Sequence, residues 1–199
     1  MIEKNKHKKN PYDLSKCKFM GKGNNGEVYL LPNGRVIKIA YNVKSFVGEY
    51  TILEKVNGNN YFPLIYEIGS NYMVRECVYG MVLPKYIKEN GMNTILAHNI
   101  IELLKEFSKL KFKKIDIRCR DIFVQFDGSL KVIDPKKFYS KKRTFPKHLS
   151  KGLSKLGVLD IFFKVLEEDE PELYKKWYLE TDKYINSTIS NLHEQIIAM

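Results

Sequence analysis

Cysteines and long apolar segments are both scarce in this chain of 199 residues. The three cysteines, Cys17, Cys77 and Cys119, form no Cys-x-x-Cys pair, which argues against a disulfide framework and against a zinc site of that kind. No segment approaches the roughly 18 apolar residues that span a bilayer, and residues 1–20 contain no apolar core of a signal peptide. We therefore expect a cytoplasmic protein that does not insert into a membrane.

Acidic residues are in the minority, since 23 Asp and Glu stand against 34 Lys and Arg, which gives a formal net charge of +11. Between Lys136 and Lys155 the chain has no acidic residue. A basic excess favours anionic partners, among them nucleotides, acidic protein surfaces and nucleic acid. The alternative for the basic stretch 136–155 is a solvated surface that the acidic C-terminal region balances.

The remaining composition, 44% hydrophobic and 29% charged, is typical of a folded globular protein, and the length allows one domain or two small lobes. After a basic tail over residues 1–16, residues 17–79 have the patterns and turn residues of an antiparallel sheet with one helix. Five strands are predicted over Cys17–Lys22, Gly26–Leu31, Arg35–Ala40, Leu64–Ile68 and Tyr72–Glu76, and a helix over Val43–Val56.

Helical spacing of apolar residues dominates residues 80–199, after a linker that begins at Tyr79-Gly80. The predicted elements are a long helix capped by Asn93, a hairpin of Ile122–Phe126 and Leu130–Ile133 around Asp127-Gly128, and helices over Leu153–Leu166 and Glu170–Tyr184. The sequence therefore predicts an α+β protein with a small antiparallel β lobe and a mainly helical second lobe.

A glycine-rich segment, GKGNNGEV over residues 21–28, joins the first two predicted strands. A dinucleotide-binding fingerprint would need these glycines to open a helix, and the strand-like residues 27–31 argue against that. In a hairpin turn, glycines let backbone N–H groups approach phosphate oxygens closely. The segment therefore indicates a phosphate-binding turn, although glycine-rich turns are also common without a ligand.

A lysine, Lys38, stands in the middle of the apolar strand Val36-Ile37-Lys38-Ile39-Ala40, where a structural residue would be apolar or β-branched. Such a lysine needs an anion, and Glu49 in the following helix is a candidate ion-pair partner. The alternative is an edge lysine that extends to solvent.

Three aspartates in the second half are candidate functional acids, and two of them are candidates for binding a cation. Asp116 and Asp121 lie five residues apart before an apolar strand, and Asp134 ends the next strand. Pairing of the hairpin is expected to bring Asp121 and Asp134 to the same end, and such paired carboxylates suit Mg²⁺. Aspartates at strand ends are also ordinary turn formers.

The order of these features, from the glycine turn through Lys38 and Glu49 to the three aspartates, resembles the protein-kinase-like fold between about residues 17 and 166. This resemblance implies a bilobal α+β protein, with an N-lobe over 17–79 and a reduced, mainly helical C-lobe over 80–199. It implies an ATP- and Mg²⁺-dependent phosphotransferase that transfers the γ-phosphate to a hydroxyl. The most similar types are minimal bacterial serine/threonine kinases and the RIO type.

The resemblance also implies roles for individual residues. The nucleotide is expected to contact Gly21, Gly23, Gly26, Val28, Lys38 and Glu49, together with the backbone of Glu76 and Val78 in the hinge. The catalytic residues are expected to be Asp116, Arg118 and Lys38. Asp121 and Asp134 are expected to bind Mg²⁺, with Mn²⁺ as an alternative.

Several kinase features are altered or missing. Lys114-Ile115-Asp116 stands for His-Arg-Asp, Asp121 for the metal-binding asparagine, and Asp134-Pro135-Lys136 for Asp-Phe-Gly. Arg75 falls where kinases place an uncharged residue behind the adenine. No Ala-Pro-Glu motif occurs, and the segment that follows Asp134 is short. These differences indicate a reduced kinase.

The acceptor is open on the sequence alone. A protein with a Ser/Thr hydroxyl is the first expectation, and the basic stretch 136–155 favours an acidic one. A small-molecule phosphotransferase of the aminoglycoside or choline kinase type shares every residue on the ATP side. A pseudokinase that serves as a binding or scaffolding module is the non-enzymatic alternative.

Overall fold

The computed structural model of the protein describes residues 3–4 and 11–197, with side chains described from residue 11 to residue 187. The chain forms two compact units. The first unit ends at Gly80 and also includes Lys131–Lys137. The second consists of Met81–Leu130 and the residues from Phe138 onward. A segment that is distant in sequence therefore belongs to the first unit.

The first unit is a six-stranded sheet with one helix. Its strands are β1 (Glu3–Lys4), β2 (Lys18–Gly23), β3 (Gly26–Leu30), β4 (Val36–Ala40), β5 (Ile65–Ile68) and β6 (Tyr72–Arg75), and its helix is α1 (Val43–Lys55). The strand order is β1-β5-β6-β4-β3-β2, and every neighbouring pair is antiparallel except β1 with β5. The predicted small antiparallel sheet with one helix is confirmed.

The predicted number of five strands was wrong by one. The additional strand β1 comes from the region that the sequence assigned to a basic tail, and it pairs with β5 in parallel. A strand of two residues is too short for an alternating pattern to reveal it.

The two faces of the sheet in the first unit differ in character. One face buries a cluster of Leu31, Ile37, Tyr72 and Val74. The opposite face carries the side chains of Lys38 and Arg75, because alternate residues of a strand point to opposite sides. Helix α1 begins after Asn42, whose side chain accepts a hydrogen bond from the backbone N–H of Ser45.

The second unit is mainly helical. Its elements are β7 (Met81–Val82), α2 (Leu83–Asn90), α3 (Thr94–Lys109), β8 (Ile122–Val124), α4 (Lys147–Lys155), α5 (Leu159–Asp169) and α6 (Pro171–Ile197). A short sheet has the order β7-β8-β9, and the chain passes back to the first unit within β9 (Leu130–Val132). The predicted cap is confirmed, because the Asn93 side chain accepts from the N–H of Leu96 at 2.8 Å.

Two predictions about this unit were wrong. The single helix expected over Leu153–Leu166 is two helices, α4 and α5, because Gly157 adopts a left-handed φ of +71° between them. The linker expected after Tyr79-Gly80 contains the helix α2, whose eight residues bury only Leu83 and Ile87 and so give a weak periodic signal.

No helix in the described part of the chain combines the length and the apolar character that a membrane crossing requires. The cytoplasmic location stays a prediction.

Candidate functional site

A buried group of opposite charges lies in the first unit. The Lys38 Nζ atom is 2.5 Å from Glu49 Oε2 and 3.3 Å from Asp134 Oδ1. The ion pair that the sequence predicted between Lys38 and Glu49 is therefore present, and Asp134 is a second partner. The β4 strand supplies the lysine, α1 supplies Glu49, and the returning segment 131–137 supplies Asp134.

Asp134 is held in an unusual backbone conformation. Its φ is +55°, in the left-handed region that few residues other than glycine adopt. Its second carboxylate oxygen contacts Lys136 Nζ at 2.5 Å. Two lysines therefore fix a strained aspartate, and such strain concentrates at functional sites.

The pKa values of the two carboxylates in this group shift in opposite directions. Burial acts to raise the pKa of Asp134, but the charges of Lys38 and Lys136 outweigh it and the pKa falls below its ordinary value. Burial raises the pKa of Glu49, and the charge of Lys38 opposes that rise. Asp134 is consequently the carboxylate that stays ionised most readily, as a cation ligand must.

Arg75 is a fourth charged residue of this buried group. It is 7% exposed, and burial lowers its pKa while the charges of Glu49 and Asp134 oppose that change. Its Nε and Nη1 atoms are buried and have no hydrogen-bond partner within the described part of the chain. The Glu49 Oε1 atom is also buried without a hydrogen-bond partner among the described residues.

The glycine-rich turn lies between β2 and β3, where Gly23 pairs with Gly26. A Cβ atom at Gly26, whose φ is +153°, would lie 2.0 Å from the Ile39 carbonyl oxygen, so packing against β4 alone requires glycine there. Gly21 and Gly23 have open space at that position. Gly21 and Gly23 therefore leave room for a ligand, whereas the packing of β3 against β4 explains why residue 26 is a glycine.

The remaining residues predicted to contact a nucleotide also belong to the first unit. Val28 pairs with Lys38 across β3 and β4, so the two side chains share a face. Glu76 follows β6, where its N–H donates to the Leu64 carbonyl at 2.8 Å and its carboxylate accepts from Lys131 Nζ at 2.9 Å. Val78 lies in the segment that follows, which has no regular secondary structure.

In the second unit, Asp116 is completely buried, with 0% exposure. Its Oδ1 atom accepts from the N–H groups of His148 and Leu149 at 2.8 and 3.4 Å, and its Oδ2 atom contacts the His148 ring and lies 4.0 Å from Arg143 Nε. The first two contacts cap the N-terminus of α4. This cap could not be predicted from the sequence, because Asp116 and His148 are 32 residues apart.

Arg118 precedes a short helical turn, Cys119–Asp121, and Asp121 is its last residue, whose N–H donates to the Arg118 carbonyl at 2.9 Å. Arg118 is exposed, and the Asp121 side chain is partly buried near Arg120. Asp121 belongs to the second unit and Asp134 to the first. A shared metal site of these two residues stays a prediction.

The second unit also contains a cavity of about 690 Å³ that sequence reasoning did not identify. It has four basic lining residues, Lys113, Lys142, Arg143 and Lys176, and no acidic one. Two of the four come from the basic stretch 136–155. The indole N–H of Trp177 donates to the Thr144 carbonyl at 3.1 Å and holds α6 against this wall.

Within the part of the chain that the structure describes, no group of three or more His, Cys, Asp or Glu side chains could hold a metal ion by itself. An ion brought in by phosphate groups needs fewer protein ligands.

The chain is similar to a curated bacterial protein. It is 25% identical over 131 residues to "Putative serine/threonine-protein kinase YrzF" of Bacillus subtilis (strain 168). The match covers 62% of this chain and 60% of that protein's length. No protein-family model matches the chain. The similarity and the α+β architecture are compatible with a kinase-like protein.

Proposed function

We propose that this protein is a kinase-type phosphotransferase that transfers the γ-phosphate of a Mg²⁺-bound nucleoside triphosphate to a hydroxyl group. ATP is the nucleotide that the resemblance implies. The observation that carries the proposal is the position of Lys38 between the carboxylates of Glu49 and Asp134 in the first unit. The name of the Bacillus protein supports the same reaction class.

The proposed roles follow from the chemistry of each group. Lys38 donates to the phosphates, and Glu49 holds the lysine in place through the ion pair. Asp134, with its lowered pKa, and Asp121 are the carboxylates offered to Mg²⁺, which prefers oxygen ligands and would neutralise phosphate charge. Gly21 and Gly23 give the phosphates access to backbone N–H groups.

The role of Asp116 needs a revision. The sequence assigned this residue to orienting the acceptor hydroxyl, but the carboxylate is buried and already accepts hydrogen bonds at the start of α4. We propose that it positions α4 and its partly buried neighbour His148, and that Arg118 faces the acceptor. Substitution of Asp116 is then expected to reduce stability together with turnover.

The first test is phosphoryl transfer from radiolabelled ATP or GTP with Mg²⁺, alone and with a cell extract. Asp134→Asn removes the charge of the proposed metal ligand and should reduce transfer by about 10²–10³, the usual cost of losing such an electrostatic contact. Asp127→Asn is the matched control, because Asp127 is an exposed turn residue. Equal activity in Asp134→Asn and Asp127→Asn would refute the assignment.

The acceptor is proposed to be anionic, and the basic cavity is the observation that favours this. An acidic Ser/Thr-containing protein and a small anionic hydroxyl compound are both compatible with it. Lys142→Ser should raise the KM for the acceptor at low salt without changing nucleotide kinetics, because screening weakens exposed charges. Lys164→Ser on α5 serves as the control. An unchanged KM for the acceptor would mean that the basic stretch 136–155 is a solvated surface and does not bind the acceptor.

A further inference from the structure

The hydrogen-bond donors of Arg75 have no role in the site described above. The charge of this side chain is balanced, since Lys38 and Arg75 face the two carboxylates of Glu49 and Asp134. Its hydrogen bonding is not balanced, because Nε and Nη1 are buried without partners among the described residues. Buried donors are nearly always satisfied in folded proteins, so these two atoms call for an acceptor.

The strand register places Arg75 on the face predicted to hold the nucleotide. Arg75 pairs with Val36, and Lys38 pairs with both Met73 and Val28. Directly paired residues put their side chains on the same face of a sheet, and residues two apart along a strand do so as well. Arg75, Lys38 and Val28 therefore share one face of the first unit.

Arg75 also stands directly before the segment assigned to the base. The proposed base contacts are the backbone groups of Glu76 and Val78, and the charge of Glu76 acts on Arg75. In the pose proposed for the base, the edge that carries the 6-substituent is turned towards Arg75, the last residue of β6. The donors of Arg75 are then the protein groups that meet the substituent of the purine ring.

Adenine and guanine differ at that substituent. Adenine carries a 6-amino group, which is a donor, whereas guanine carries a 6-oxo oxygen, which is an acceptor. An amino group gives the two N–H donors of Arg75 no acceptor, whereas a 6-oxo group accepts from a guanidinium. Arginine paired with guanine is the commonest specific side-chain contact to a base in protein–DNA complexes.

We infer that Arg75 makes the nucleotide site of this protein selective for a 6-oxopurine nucleoside triphosphate, GTP or ITP, over ATP. This inference rests on the proposed function, because it needs a nucleotide on that face of the first unit. The competing explanation is a water molecule that bridges Arg75 and the unpartnered Glu49 Oε1 atom. That explanation gives no preference among purine bases.

The test is a comparison of ATP, ITP and GTP binding to the full chain with Mg²⁺ by titration calorimetry. ITP is the informative ligand, because it replaces the 6-amino group of ATP with a 6-oxo group and has no 2-amino group. Base discrimination by a well-placed side chain corresponds to about 5- to 150-fold in affinity. We expect ITP and GTP to bind at least about tenfold more tightly than ATP.

Arg75→Met removes the donors and should abolish the preference, mainly by weakening ITP and GTP. Arg35→Met is the control, because it removes an arginine from the exposed side of the same unit, where the guanidinium stacks on Tyr66. If Arg75→Met does not fold, as judged by its thermal melt, the ATP and ITP affinities of the wild-type protein still decide the question.

The outcomes separate this inference from the proposed function. Binding of ATP with an affinity equal to or above that of ITP overturns the inference and leaves the phosphotransferase intact. A preference for ITP that survives in Arg75→Met also overturns it. Absence of binding by all three nucleotides overturns both.

Discussion

The substitution Lys38→Met tests the structural and the chemical role of the buried charges together. Lys38 is 2.5 Å from Glu49 and 3.3 Å from Asp134, and the side chains of Lys38 and Glu49 are 9% and 3% exposed. Removing one partner of a buried ion pair costs about 3–5 kcal/mol, because the other charge stays buried. The charge of Arg75 and the contact of Lys136 with Asp134 still compensate the two carboxylates in this variant. We therefore expect a loss of stability near the lower limit of that range.

Urea denaturation measures this loss. With a slope of about 2 kcal/mol per molar urea, a loss of about 3 kcal/mol lowers the midpoint by about 1.5 M. Phosphoryl transfer should fall by about 10²–10³ in the same variant, since a contact to the transferred charge is removed. A loss of activity alone could then reflect partial unfolding.

A second substitution separates the two effects. Lys38→Met combined with Glu49→Leu replaces the ion pair with apolar side chains of similar volume, which is commonly neutral or stabilising. The midpoint should return towards the wild-type value, while transfer stays low. The reasoning is refuted if Lys38→Met keeps the wild-type midpoint, or if the double variant regains transfer.

Three further outcomes are expected from other positions. Gly152→Ala should lower the free energy of unfolding by about 1–3 kcal/mol, because a Cβ atom there would lie 2.4 Å from the Cys119 sulfur. Gly48→Ala places its Cβ atom in open space and should stabilise α1 by up to about 1 kcal/mol. Thermal melts of both variants test this pair of expectations. Burial raises the pKa of the Cys119 thiol to about 12, so iodoacetamide at pH 8 should label Cys17 well before Cys119, as read by mass spectrometry. Asp116→Ala should destabilise the protein by about 1.5–3 kcal/mol through loss of the α4 cap, and an unchanged urea midpoint would contradict that role.

Much of the first unit could be predicted because its signals are local. Alternating apolar residues and the Asn-Gly turn gave strands β2 to β6 to within about two residues, and the cap Asn42 lies next to the predicted start of α1. The pair of Lys38 and Glu49 was predictable as well, since a lysine in an apolar strand demands a nearby carboxylate.

The missed features depend on distant contacts. The cap of α4 by Asp116 joins residues 32 positions apart, and the contact of Lys38 with Asp134 joins residues 96 positions apart. Such pairs cannot be predicted from the spacing of residues along the sequence. The break at Gly157 was missed for another reason, because apolar residues on both sides continue in helical spacing and conceal a left-handed residue between them.

The return of residues 131–137 to the first unit sets the order in which that unit can be completed during synthesis. Strands β2 to β6 and α1 are all available once Gly80 has left the ribosome, and the pair of Lys38 with Glu49 spans only 11 residues. Asp134 joins them only after Met81–Leu130 of the second unit has been translated. Until then the nascent first unit has Lys38, Glu49 and Arg75 without the fourth charge, so a chain that is released early cannot form the complete group.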